Sequence, residues 1–560
     1  MSMSTSGLRQ DNLARLAAEP FDVLVIGGGI NGAVAAASLS ARGARVALVD
    51  RGDFAGQTSQ ASSNLVWGGI KYLESAEVGL VLKLCAARNE LLRRYPSAVR
   101  EVRFYSVHAR GFRRSLALIW LGAWLYWLLG LFFTKRPRLL RPSTMAREEP
   151  LLELGRVDGG VEYSDANLRD TDARFVWSFV RRALDRGCAA ANYVESLGSA
   201  RGADGVWVTR ARDVVTGAEL TIRSRVLVNA AGPFVDEVNR ASGVQTRHRH
   251  AFSKGVHLIV ERLSDPDRVL TFFADDGRLF FVIPLGPRTC IGTTDTRVDH
   301  PHAVVTDEDR RFILDNVNER LRLTRPLTEA DVISERCGVR PLVTQGGENG
   351  SGDWLKMTRK HVIEVNTAER QLSVFGGKLT DCLNVGQEVA RRVQALGVTL
   401  RETDGPWYGE PGPEARAEFM RQARELGLDR GDGPGSPEPP SERLWRRYGA
   451  AAPGLLERIR ADARQAEVLV EGTGYLRCEL AHAVEHEMVV ELEDLLRRRS
   501  DMAMVTRAGD LRAAPGVREA CEALFGARAQ EKLDEYFRRP AGSEPQRERS
   551  VPPRLGGPLP

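Results

Sequence analysis

Phe21–Asp50 reads FDVLVIGGGINGAVAAASLSARGARVALVD, and this stretch decides the fold. Phe21–Gly27 is a short apolar run ending in glycine, the pattern of a buried parallel strand. Ile30 to Arg42 follows with Ala-rich helical spacing, and Gly43 is a natural helix stop. Arg45–Asp50, RVALVD, is the second strand. Between strand and helix stand Gly27, Gly29 and Gly32. The first permits the turn, the second lets backbone approach a pyrophosphate, and the third lets helix and strand pack. The helix N-terminus then faces the phosphates. Asp50 closes the second strand 18 residues past Gly32, where an acidic side chain grips a ribose hydroxyl. The spacing predicts a dinucleotide-binding βαβ unit.

The next segment predicts which dinucleotide. TSQASSN (Thr58–Asn64) sets hydroxyls just past the ribose-binding strand, and it runs into WGGIKYLE (Trp67–Glu74). A flavin has polar edges that Thr58, Ser59, Ser62 and Ser63 would satisfy, whereas a nicotinamide cofactor has no use for them there. The bland alternative is a self-capping Ser/Thr loop. Further along, Arg225–Asn229 is a strand broken by Ala230-Ala231-Gly232-Pro233. Phe280–Pro284 and Thr289–Gly292 look like paired strands of a more β-rich region. Leu372–Phe375 is another strand, cut by Gly376-Gly377, with a helix expected from about Thr380.

The chain is long enough for two or three domains: 560 residues, 42% hydrophobic and 27% charged. Such values exclude collagen-like, mucin-like or wholly disordered chains. The net charge of +5 gives no global nucleic-acid footprint. Seven dispersed cysteines without a Cys-x-x-Cys pair argue against a disulfide framework and a structural zinc site. His482 and His486 share a helix face, but no third ligand is evident, so no metal is expected. The first twenty residues lack the apolar core of a signal peptide, which points to a reducing, cytoplasmic setting. One stretch is unlike the rest. LALIWLGAWLYWLLGLFF (Leu116–Phe133) is eighteen residues without a charge, flanked by Arg113-Arg114 and Lys135-Arg136. It reads as a buried core helix, a membrane span, or a segment dipping into one leaflet with Trp120, Trp124, Tyr126 and Trp127 near the headgroups. The last is preferred.

VIGGGINGA (Val25–Ala33), TSQASSN with GGIKYLE, FVIP (Phe281–Pro284), IGTTD (Ile291–Asp295), GVRPL (Gly338–Leu342) and SVFGGKLT (Ser373–Thr380) follow one another in order. Together they resemble the aerobic, FAD-dependent glycerol-3-phosphate dehydrogenases of the D-amino-acid-oxidase-like flavoproteins. The resemblance runs from about Asn12 to Leu400 and resumes at Gly474–Arg499. It implies an α/β fold with a Rossmann-like FAD domain from about 21–106, 161–243 and 340–400. A β-rich, substrate- and membrane-facing cap would come from 107–160 and 244–339. A linker over 401–442, a helical C-terminal domain over 443–539 and a disordered tail over 540–560 complete the expectation.

The resemblance also implies FAD as cofactor, glycerol 3-phosphate as substrate and a quinone as acceptor, met at the cytoplasmic face of the inner membrane. A homodimer is compatible with it. Arg340, Arg359, Tyr72 and Lys71 are the expected substrate-binding residues. His257 is the preferred base, with Arg340 and Lys378 as its catalytic companions. Gly232, Gly377 and Lys378 join the glycines, Asp50 and the hydroxyls at the cofactor. Lys378, at a helix start, would stabilise negative charge on the reduced flavin. The sequence departs from its relatives at Trp67, where many carry histidine, and at Lys71, where arginine is usual. A related oxidoreductase acting on another hydroxy or amino substrate, or a non-catalytic flavin-binding docking protein, are the competing readings.

Overall fold

A computed structural model describes residues 6–112, 114–264, 267–274, 278–345, 360–403, 405–431 and 438–538. The opening stretch folds as its pattern dictates. The strand Pro20–Ile26, the helix Ile30–Ala41 and the strand Val46–Val49 form the central βαβ unit. Pro20–Ile26 pairs in parallel with Val46–Val49 on one side and with Glu219–Asn229 on the other. Ala189–Ala191 and Gln371–Phe375 extend the parallel sheet outward, and Val362–Asn366 edges it antiparallel. Such central strands are buried on both faces, which is why they read as unbroken apolar runs. The helices Ile30–Ala41, Asp172–Leu184 and Cys382–Ala395 share one apolar core against the sheet. Leu16, from the helix Ser6–Ala18, joins a separate core built on Phe21, Leu24 and Ile26.

A second, largely antiparallel sheet carries the long strands His248–Glu261 and Ser334–Gln345, paired residue for residue from His248–Gln345 to Ile259–Ser334. It also takes in Val99–Ala109, Val157–Leu168 and the short Leu65–Val66. This differs from the expected partition. The boundaries at 106, 161 and 340 each cut through a strand of this second sheet. Both sheets alternate along the chain, and a strand's composition does not say which sheet it joins.

One further expectation changes. The Pro/Gly-rich stretch 401–442 contains the helix Pro413–Glu425, started by proline at its first position. It buries Phe419 and Ala423 against Leu444 and Trp445, so it belongs to the C-terminal helical cluster. The apolar segment forms the helix Leu116–Leu129, 14 residues long or about 21 Å. Only Ala123 and Tyr126 of it are buried, so it is not a core helix. Leu118, Leu121, Leu125 and Leu128 are 40–62% exposed, and Leu131 beyond it is 71% exposed. Among the described residues, no helix is long and apolar enough to cross a membrane. The tail expected to be disordered, 540–560, lies outside the described residues.

Candidate active site

The glycine turn is close-packed in the way a cofactor cradle requires. Gly27 has φ +103°, and a Cβ there would lie 2.6 Å from the Ala230 carbonyl oxygen. A Cβ on Gly32 would lie 1.7 Å from the Gly27 oxygen. No side chain larger than hydrogen fits either place. Gly29 caps the helix Ile30–Ala41 without a side-chain bond, and Ser59 Oγ accepts the Ile30 N–H at 3.1 Å. Asp50 Oδ2 accepts the Gly28 N–H at 2.6 Å and Oδ1 accepts that of Gly52 at 2.8 Å. Burial pushes the Asp50 carboxyl up to about 6, partly countered by those two bonds.

The other predicted cofactor residues take the following places. Gly232 begins a short helical turn with φ +56° just past the strand Glu219–Asn229. Thr58 donates to the Val339 carbonyl at 2.6 Å, tying the hydroxyl loop to the second sheet. Ser62 Oγ accepts the Asn64 N–H at 3.3 Å, and Ser63 lies beside it, half-buried. Gly376 and Gly377 have φ +61° and +107°. Asn31 Nδ2 donates to the Gly376 carbonyl at 2.9 Å, while its Oδ1 is buried without a partner. A tight glycine cradle at a helix N-terminus, an acidic residue at the second strand's end and an orphaned amide oxygen against Gly377 fit a dinucleotide. Nothing in the local pattern of VIGGGINGA singles out Asn31. Its reach to Gly376, 345 residues away, is a tertiary fact.

One pair of catalytic candidates is in contact. Lys378 Nζ donates to Tyr72 Oη and lies 3.9 Å from the centre of that ring. Lys378 also precedes the turn Leu379–Asp381, which leads into the helix Cys382–Ala395. The helix thus begins two residues later than the sequence suggests. Thr380 donates to the Trp67 carbonyl at 3.2 Å, closing the Trp67–Tyr72 loop over the Lys378 loop. Lys71 is exposed on the turn Ile70–Ser75, unlike its neighbour Tyr72.

His257 and Arg340 stand on the adjoining strands His248–Glu261 and Ser334–Gln345, where Arg336 is the register partner of His257 and Ser253 that of Arg340. Arg340 donates to Thr293 Oγ1 at 2.9 Å and to the Thr294 carbonyl at 3.3 Å. A Cβ on Gly255 would sit 2.2 Å from its guanidinium, so that glycine makes room for it. His257 is buried with both ring nitrogens unpartnered. Burial first, then the charges of Arg340 and Arg336, push its imidazole down to about 3, so it is neutral at working pH. Gly338, between the two arginines, would bring a Cβ within 2.8 Å of Ala61, so this strand packs on the hydroxyl loop. Arg336, unrecognised in the sequence, donates to the Ser62 carbonyl at 2.8 Å and to Asn64 Oδ1 at 2.6 Å. Arg359 lies outside the described residues.

The profile of the FAD dependent oxidoreductase family matches residues 22–353, and that of the C-terminal domain of alpha-glycerophosphate oxidase matches residues 337–532. The chain belongs to the FAD-dependent oxidoreductases, on the glycerol-3-phosphate dehydrogenase branch. Its similarity to glycerol-3-phosphate dehydrogenase 2 of Mycobacterium bovis is 32% identity over 493 residues, 87% of this chain and 81% of that protein. To the aerobic glycerol-3-phosphate dehydrogenase of Staphylococcus epidermidis it is 29% over 526 residues, 89% and 90% of the two chains. The solved structure of the glycerol-3-phosphate dehydrogenase from Bacillus halodurans, complexed with FAD, superposes with a TM-score of 0.70. It is 25% identical and covers 96% of both chains. The cofactor of this flavoprotein is FAD. Gly27, Gly29, Gly32, Asp50, Ser59 and Asn31 are the residues whose geometry suits holding it.

Proposed function

We propose that this flavoprotein oxidises sn-glycerol 3-phosphate to dihydroxyacetone phosphate and passes the electrons to a quinone. The observation that carries the reading is His257: a neutral, buried imidazole with two unpartnered nitrogens, within the electrostatic reach of Arg340 on the adjoining strand. A buried polar group without a partner is costly unless something fills the gap in use, and a secondary alcohol fills it. FAD, when bound, supplies the acceptor for the hydride from substrate C2. One ring nitrogen of His257 takes the hydroxyl proton, leaving a carbonyl at C2. Arg340, whose planar fork suits phosphate oxygens, holds the substrate's phosphate. Lys378, steadied on the Tyr72 ring, offsets negative charge that develops beside it. The names of the relatives support the substrate.

A quinone is a lipid-soluble acceptor and must be met at the bilayer. The apolar face of Leu116–Leu129, continued by the exposed Leu131, Phe132 and Phe133, supports docking in one leaflet of the membrane. Lys135 and Arg136 follow where phosphate headgroups would lie. The deciding experiment is the visible spectrum of the holoprotein on anaerobic addition of glycerol 3-phosphate. Bleaching of the flavin band near ~450 nm, a general property of the bound cofactor, followed by quinone reduction in vesicles, is expected. An unbleached flavin would overturn the substrate and leave the cofactor.

A further inference from the structure

Asp53 stands three residues past the ribose-binding Asp50, and its side chain is fully buried. It meets two arginines of the C-terminal domain, from the helical turn Asp494–Arg499. Oδ2 accepts from Arg498 Nε and Arg499 Nη1, each at 2.8 Å. Oδ1 accepts from Arg499 Nη2 and Asn192 Nδ2, also at 2.8 Å. Burial alone would push this carboxyl up, but Arg499 and Arg498 outweigh it and hold it below its usual range. The arginines are themselves fixed. Arg498 donates to Asp494 at 2.6 Å, and Arg499 donates to the Glu487 carbonyl at 3.0 Å and lies 4.2 Å from the Trp177 ring centre.

The loop bearing Asp53 is also bound to the glycine turn. Ala55 N–H donates to the Gly28 carbonyl at 3.0 Å, and Phe54 lies where a Cβ on Gly28 would come within 2.3 Å. Asp50 accepts from Gly28 itself. A shift of Asp53 therefore moves the cofactor cradle. The hydroxyl loop is held from the same side: Arg498 donates to Gln60 at 3.1 Å. Arg336, which grips Ser62 and Asn64, also donates to Met504 Sδ of the C-terminal domain at 2.8 Å.

A buried ion pair gains little net stability over apolar packing, because desolvation offsets most of the Coulomb attraction. What two fork-shaped guanidinium groups on one carboxylate do supply is a defined position. We propose that the C-terminal helical domain is a clamp on FAD, in which Arg498 and Arg499 are positioning residues acting through Asp53 on the Gly28–Asp50 cradle. The inference rests on the bound cofactor and not on the identity of the substrate.

The test is FAD affinity of the full chain, measured by flavin fluorescence during titration of the apoprotein. Asp53→Asn removes the charge but keeps the shape. Arg499→Lys keeps the charge but loses the fork. Leu455→Ala opens a cavity in the other C-terminal core cluster, which contains no residue of the Asp494–Arg499 turn. The expected result is a Kd for FAD raised at least about tenfold in Asp53→Asn and Arg499→Lys. Leu455→Ala should lower the Tm as much or more, with a Kd within about twofold of the parent. An unchanged Kd in folded Asp53→Asn and Arg499→Lys overturns the clamp. So does a Kd that simply follows Tm across all three. Should Asp53→Asn not fold, the charge-conserving Arg499→Lys decides.

Discussion

His257 and Asp50 are both buried titratable groups, and burial drives them in opposite directions because it disfavours whichever form is charged. For His257 the neutral form is favoured down to about pH 3. The proposed base is therefore already deprotonated across the working range, and kcat/KM should show no fall between pH 8 and pH 5 from its protonation. His257→Gln should keep FAD and lower kcat by about a hundredfold to ten-thousandfold, the usual share of a general base. An equal flavin content with unimpaired turnover would exclude His257 from proton transfer. For Asp50 the sign is reversed. Burial pushes its carboxyl up to about 6, and a ribose hydroxyl, the partner proposed for it, donates more strongly to the ionised form. FAD binding thus expels a proton below that pH. Affinity should be flat above about pH 6 and weaken as pH drops through it. In Asp50→Asn the affinity should be weaker and that pH dependence lost, as read by titration of the apoprotein at several pH values.

The helix Leu116–Leu129 shows how an element can be apolar and yet not belong to a core. Ser115 caps its start by accepting the Leu118 N–H at 3.3 Å. The buried Tyr126 anchors it, donating to Asp165 at 2.7 Å while Asp165 accepts the Gly68 N–H at 3.0 Å. The helix is thus tied on its inner side to the loop that carries Tyr72, and its outer side is left to solvent or lipid. Each leucine moved from water into lipid contributes at least ~1.5 kcal/mol, about tenfold in partitioning. Leu121→Glu and Leu128→Glu should each weaken vesicle binding by about that factor. Flavin bleaching by substrate in detergent should stay as in the parent. Co-sedimentation equal to the parent's would show that another surface meets the membrane.

Across the whole molecule, the FAD segments are touched by both sheets and by the C-terminal helices: Gly27 by Ala230, Thr58 by Val339, Asp53 by Arg499. Ligand binding to the folded state alone stabilises it by about 2.7 kcal/mol at a hundredfold excess over Kd. Because the contacts span the chain, adding FAD to the apoprotein should shift the calorimetric transition of the C-terminal domain together with that of the FAD domain. A shift confined to one of them would contradict this coupling.

What could be read without coordinates was local and repeated. The βαβ unit from Phe21 to Asp50 rests on glycine geometry and apolar runs that sequence spacing dictates directly. The ordered motifs from GGGINGA to GGKLT then carried the family, and with it the flavin. What could not be read was which strand joins which sheet, and that Pro413–Glu425 is a packed helix. Nor could the partners of Asp53 be found, since Arg499 stands 446 residues away. The physical reason is one of range. Propensity, turn chemistry and periodicity act within a few residues and are written into the chain at that spacing. Pairing across a sheet, orphaned donors and buried ion pairs exist only between residues that the finished fold brings into contact.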